Sequence, residues 1–125
     1  MARVLVVEDN KANMKLTSLL LHSAGHTVLS AVDAEIGLTL ARSENPDLIL
    51  MDIQLPGMDG LTATALLKQD PITASIPIIA LTAMAMKADR ERSDLAGCDA
   101  YISKPLRYQE LLDAIESLLA KDDRS

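Results

Sequence analysis

Asn45-Pro46-Asp47-Leu48-Ile49-Leu50-Met51-Asp52-Ile53-Gln54-Leu55-Pro56-Gly57 is the stretch on which the fold turns. Four consecutive apolar residues, Leu48 to Met51, lie between Asn45-Pro46, which stops the preceding helix, and Pro56-Gly57, which marks a loop. An apolar run without alternation is what a strand covered on both faces requires, as in a parallel sheet. This one ends in an acid, Asp52. The construction recurs along the chain. Val4-Leu5-Val6-Val7 ends in Glu8-Asp9, Ile76-Pro77-Ile78-Ile79-Ala80-Leu81 ends in Thr82, and Tyr101-Ile102-Ser103 ends in Lys104-Pro105.

Between these runs the pattern changes to helical spacing. Strands are expected at about residues 3–8, 27–31, 47–52, 76–81 and 100–103. Helices are expected at about 12–24, 34–44, 58–69 and 87–96, and a last one carries Tyr108, Leu111, Leu112, Ile115, Leu118 and Leu119 at spacings of three and four. The first helix has Leu16, Leu19 and Leu20 on one face and Gly25 placed to end it; Gly97 ends the fourth. Residues 121–125 read as a frayed, charged end. Strands alternating with helices give an α/β, flavodoxin-like (βα)5 fold, a parallel sheet with helices on both faces. Runs one, three and four are almost wholly apolar, whereas Thr27-Val28-Leu29-Ser30-Ala31 and Ala100-Tyr101-Ile102-Ser103 are more polar, as edge strands tend to be. That fits the strand order 2-1-3-4-5, in which ligands bind at the switch point between strands 1 and 3. Glu8, Asp9 and Asp52 meet there.

Composition narrows the function. The chain has 125 residues, the size of one domain. Its core must be aliphatic, because there is no Phe or Trp and only two Tyr. A net charge of −6 without a basic stripe argues against a phosphate-backbone footprint, so direct nucleic-acid binding is not expected. The lone Cys98 suits a reducing compartment and reads as a small buried hydrophobe. No apolar run has the length of a membrane span or a signal segment, so a cytoplasmic protein without membrane insertion is expected.

Carboxylates gathered at neighbouring strand ends repel one another and call for a cation. Magnesium suits them, since it prefers octahedral oxygen ligands and is commonly held by one or two carboxylates beside waters. Asp9 and Asp52 supply such carboxylates, and Glu8 can act directly or through a water. Asp52 can then also serve as a nucleophile toward phosphorus, with Lys104 and the Thr82 hydroxyl holding phosphoryl oxygens. Each residue alone has a plainer reading. Glu8-Asp9 could be acids where a strand reaches the surface, Asp52 a loop cap, Thr82 a β-branched strand end, and Lys104-Pro105 a turn. The joint pattern is much rarer, because all five fall at one sheet edge.

Val6-Val7-Glu8-Asp9-Asn10, the run from Asp47 through Asp52 to Asp59-Gly60, Ile78-Ile79-Ala80-Leu81-Thr82-Ala83 and Tyr101-Ile102-Ser103-Lys104-Pro105 together resemble the receiver domain of two-component response regulators. The resemblance covers the whole chain and implies one receiver domain over residues 1–125 with no output domain. The segments near Asn10 to Leu16 and Thr82 to Lys87 are most similar to single-domain regulators of bacterial cell division and polarity, and similar segments occur in receivers attached to hybrid kinases. The family implies that Asp52 accepts a phosphoryl group from a histidine kinase or histidine phosphotransfer protein. It implies Glu8, Asp9, Asp52 and the Gln54 carbonyl as magnesium ligands, Lys104 as the phosphate's partner, and a cis Lys104–Pro105 bond. Thr82 and Tyr101 would form the switch, and a downstream protein target would read it. Such a chain is not an enzyme beyond promoting its own phosphorylation and slow autodephosphorylation.

Two other classes stand beside this reading. An aspartyl-phosphate hydrolase uses the same nucleophile but resembles its relatives in carrying a second acid two residues later; Gln54, which cannot shuttle a proton, holds that position. A phosphate-independent protein-binding module would not need all five residues. Tyr101 could equally be a half-exposed aromatic on an edge strand, Met84 and Met86 gap-fillers, and His22 and His26 merely solvated.

Overall fold

In a computed structural model of the chain, which describes residues 2–82 and 96–122, five parallel strands form one sheet in the order β2-β1-β3-β4-β5. The strands are β1 (Arg3–Val7), β2 (Thr27–Ala31), β3 (Leu48–Asp52), β4 (Ile78–Thr82) and β5 (Ala100–Ser103). The described helices are α1 (Lys11–Ser23), α2 (Ala34–Glu44), α3 (Gly60–Gln69) and α4 (Tyr108–Asp122). The helix expected over about 87–96 lies outside the described residues up to Ala96, as do Met84 and Met86. Among the described residues no helix is long and apolar enough to cross a membrane.

Strand periodicity sorts the core into two layers. Val4, Val6, Leu48, Leu50, Ile79 and Leu81 point to one face, where Leu21 of α1 and Leu111, Ile115 and Leu118 of α4 cover them. Their neighbours in sequence, Leu5, Val7, Ile49, Met51 and Ile78, point to the other face, beneath Ala34 and Ala41 of α2 and Ala63 and Leu67 of α3. The three central strands are therefore buried on both sides, while β2 and β5 at the edges carry half-buried and exposed positions. The contrast read from their composition is the physical one: a strand with a single neighbour keeps one margin near water.

Caps set where the helices begin and end. Asn10, Asp33 and Asp59 each precede a helix and accept a hydrogen bond from the backbone N–H three residues on, at 2.9, 2.8 and 2.8 Å. Gly25 follows the end of α1 with φ 89°, and the N–H groups of Gly25 and His26 return to the carbonyls of His22 and Leu21, a Schellman closure. Asn45 takes the same left-handed role after α2, with φ 48°.

The leucine stripe of the first helix is only partly covered. On α1 the buried side chains are Thr17 and Leu21, with Met14 and Leu20 beside them, whereas Leu16 and Leu19 are 52% and 55% exposed. Leu16, Leu19 and Leu20 do share a stripe. The adjacent stripe meets the sheet, and the helix starts at Asn10, whose N–H donates to Glu8 Oε2 at 3.2 Å. Strand four also starts later than expected, at Ile78; Pro77 has no N–H to donate and contributes only its carbonyl, to Ile49 N at 2.9 Å.

Candidate phosphoryl and metal site

All five residues singled out at strand ends come together at the C-terminal edge of the sheet. Glu8 follows β1, with its N–H on the Ala31 carbonyl at 3.0 Å; Asp52 is the last residue of β3, Thr82 the last of β4, and Lys104 follows β5. The Lys104 N–H donates to the Thr82 carbonyl at 2.6 Å, which carries the β4–β5 ladder up to the site. The Lys104–Pro105 peptide bond is cis.

Geometry gives each carboxylate a different environment. Glu8 and Asp52 are each 3% exposed, while Asp9 beside them is open to water. One carboxylate oxygen from each of the three lies within 4.8 Å of the others. Lys104 Nζ sits between the two buried acids, 2.9 Å from Glu8 Oε1 and 2.9 Å from Asp52 Oδ2. The second oxygens are tied to the backbone: Asp52 Oδ1 accepts the Gln54 N–H at 3.0 Å and Glu8 Oε2 accepts the Asn10 N–H. Both carboxylates are thereby fixed in orientation as well as position.

Among the described residues one ammonium stands against two carboxylates with a third alongside, a formal charge of −2 when all are ionised. The strain of that arrangement appears at Glu8. Burial, and then the Asp52 carboxyl beside it, raise its pKa above the ordinary glutamate value, and the hydrogen bond from Lys104 does not offset them. Lys104 moves upward too. Burial alone would push the ammonium's pKa down, but its bonds to Asp52 and Glu8 prevail and hold the proton more firmly than usual. An acidic, oxygen-only donor set with one member open to water fits a hard divalent cation of the magnesium type.

Other expected participants are placed less centrally. Gln54 is exposed, two residues beyond Asp52. Tyr101 is half-buried on the edge strand β5 and packs, with Cys98, against a small cluster of Ile53, Leu61 and Ala80. Exposed Leu16, with Pro105 and Leu106, lines a cleft of about 100 Å³ that reaches Glu8 and Lys104. His26 is more than a solvated side chain, because its Nδ1 accepts the Ala2 N–H at 3.2 Å; His22 is exposed. Sequence reasoning missed that Lys104 is already engaged by two acids before any phosphoryl group arrives. It also missed Gly60, which packs on the backbone of the acid-bearing strand. The available signal was a glycine in the first turn of a helix, directly after the capping residue Asp59.

Comparison with known proteins agrees with this geometry. The family model for the response regulator receiver domain matches residues 4–116. The polar-differentiation response regulator DivK of Brucella ovis is 47% identical over 116 residues, covering 93% of this chain and 94% of that protein. Among solved structures, the receiver domain of a sensor histidine kinase from Pseudomonas aeruginosa PAO1 is similar with a TM-score of 0.89 and 34% identity, covering 95% of this chain and 98% of that one. That structure has a magnesium ion coordinated in its active site cleft. A CheY-like response regulator receiver domain protein from Methanospirillum hungatei JF-1 gives a TM-score of 0.92 at 31% identity, covering 99% and 98% of the two chains.

Proposed function

Because this chain belongs to the response regulator receiver family, we propose that it is a phosphorylation switch whose acceptor is Asp52. The observation that carries the proposal is the fixed, buried Asp52 carboxylate, held by Lys104 on one oxygen and the Gln54 N–H on the other, beside two further acids. An Asp52 oxygen attacks phosphorus in line, an O–P bond forms, and the N–P bond to a donor histidine breaks, leaving neutral imidazole once a proton is taken up. The donor is the phosphohistidine of a histidine kinase or a histidine phosphotransfer protein.

Glu8, Asp9 and Asp52, with the Gln54 carbonyl, would hold magnesium. A bound magnesium ion neutralises charge on the transferring phosphoryl group. The chain's own residues do the rest. Lys104 exchanges part of its contact with Glu8 and Asp52 for a phosphoryl oxygen, remaining cationic because its pKa is held up. The Thr82 hydroxyl, at the end of the neighbouring strand, takes another oxygen, and the movement of Thr82 is passed to Tyr101 on β5. Output then runs through phosphorylation-dependent contact with a downstream protein, in the cytoplasm, until slow autodephosphorylation resets Asp52.

Intact mass of wild type and Asp52→Asn after incubation with acetyl phosphate and magnesium tests this reading. A gain of one phosphoryl group, about 80 Da, in wild type alone is expected. No adduct in wild type, together with no binding of a fluoride-based phosphoryl mimic, would leave a phosphate-independent interaction module.

A further inference from the structure

The hydrogen-bonded ladder accounts for the position of β3 up to Asp52, but the phosphoryl acceptor needs a tighter constraint than a strand end ordinarily has. It has one on the side facing α3. A Cβ built at Gly60 would collide with the Asp52 carbonyl oxygen and lie 2.8 Å from the Asp52 carbonyl carbon and 2.9 Å from Ile53 Cα. Those atoms are main chain and cannot swing away as a side-chain tip could. The close approach is also held from both sides. The Gly60 N–H donates to the Ile53 carbonyl at 2.9 Å, and the Ile53 N–H donates to the Leu81 carbonyl of β4 at 2.9 Å. The Gly60 carbonyl in turn accepts the buried Thr64 hydroxyl at 2.8 Å, and Asp59 caps the same turn through the Thr62 N–H. The Asp52–Ile53 peptide is thus clamped between β4 and the first turn of α3.

We propose that Gly60 is a positioning residue for phosphoryl transfer: its missing side chain lets α3 clamp the Asp52 main chain and so fixes the nucleophile relative to Lys104, Glu8 and Asp9. The inference rests on Asp52 being the acceptor. Those partners arrive from other strands, so a shift of the Asp52 backbone changes every distance in the site at once. Displacement of about 1 Å at a reacting group can cost on the order of a hundredfold in rate.

Gly60→Ala and Gly97→Ala form the test pair. Gly97 has φ 98° and a Cβ there would lie 3.1 Å from Lys68 Cγ, so its replacement also strains the fold, but at the opposite edge of the sheet. The readout is the rate of mass gain per folded molecule at saturating acetyl phosphate and magnesium, with circular dichroism giving the folded fraction. Gly60→Ala is expected to be slowed at least about tenfold, and Gly97→Ala to keep the wild-type rate. Equal rates in all three, or equal slowing in both variants, would overturn the inference. Should Gly60→Ala not fold, Asp59→Ala loosens the same turn without adding atoms and is expected to be slowed several-fold; a wild-type rate there overturns the inference as well. Failure of the acceptor assignment looks different, since wild type would gain no mass or Asp52→Asn would gain it.

Discussion

The two ends of the sheet solve the same problem, a lysine among acids, in opposite ways. At the N-terminal edge Lys68 Nζ meets one carboxylate, Asp99 Oδ2 at 2.9 Å, and the carbonyl of Ile76 at 2.8 Å. Asp99 Oδ2 also accepts the Ile78 N–H at 2.8 Å, so charge and hydrogen bonds close on themselves. Arg3 with Glu44 and Arg42 with Asp70 are likewise matched pairs, one cation to one anion. At the C-terminal edge Lys104 meets two buried carboxylates with a third alongside. Among the described residues, the lysine and the two arginines at the N-terminal edge each meet a single carboxylate. Among the described residues the C-terminal cluster carries more negative than positive charge, and a bound cation would balance that excess.

Removing each lysine should sharpen the contrast. Lys104→Ala leaves two buried carboxylates facing each other without their shared cation and should cost about 3 kcal/mol in chelator. Added magnesium should return part of that loss in urea unfolding. Lys68→Ala should cost about 1–2 kcal/mol, mostly through an Asp99 carboxylate left without its cation and an Ile76 carbonyl left without its donor, and magnesium should not change it. Equal responses of the two variants to magnesium would erase the distinction between the edges.

A smaller effect concerns pH. The folded-state pKa of Glu8 lies above its unfolded value, so above the folded pKa its charge is a penalty on the native state. As pH falls through that value toward the ordinary glutamate range, the native state binds the extra proton and the penalty is relieved. Wild type in chelator should therefore lose less stability on mild acidification than its other carboxylates would dictate. Glu8→Gln should remove this contribution, and magnesium, which favours the carboxylate, should mask it. Lys104 follows the same linkage at higher pH: its stabilisation is present below the ordinary lysine pKa and is lost only as pH rises through its raised value. Identical slopes of melting temperature against pH for wild type and Glu8→Gln would show that Glu8 is not the strained acid.

Most of the fold was legible because a doubly covered sheet leaves a direct trace. A short continuous apolar run such as Leu48 to Met51, bounded by Pro on both sides, fits a buried strand and little else, and the more polar edge runs pointed to the strand order. Glu8, Asp9, Asp52, Thr82 and Lys104 were legible for the same reason, since each stands where such a run stops. What could not be read depends on distances between elements. Which stripe of α1 meets the sheet depends on how the helix sits on it, and Leu16 and Leu19 stay outside although they are leucines. The engagement of Lys104 with both Glu8 and Asp52 joins positions 96 and 52 residues apart, and no local pattern records it. The close approach of Gly60 to the Asp52 carbonyl likewise joins two elements and leaves no local pattern.

Thermal unfolding of wild type and Asp52→Asn, each in chelator and in magnesium, tests the excess of negative charge among the described residues at the C-terminal edge. Neutralising Asp52 should make the metal-free protein more stable than wild type by on the order of 1 kcal/mol, while the gain that wild type draws from magnesium should shrink in the variant. A metal-free Asp52→Asn no more stable than wild type, with an undiminished response to magnesium, would show that the carboxylates there neither repel one another nor hold the ion.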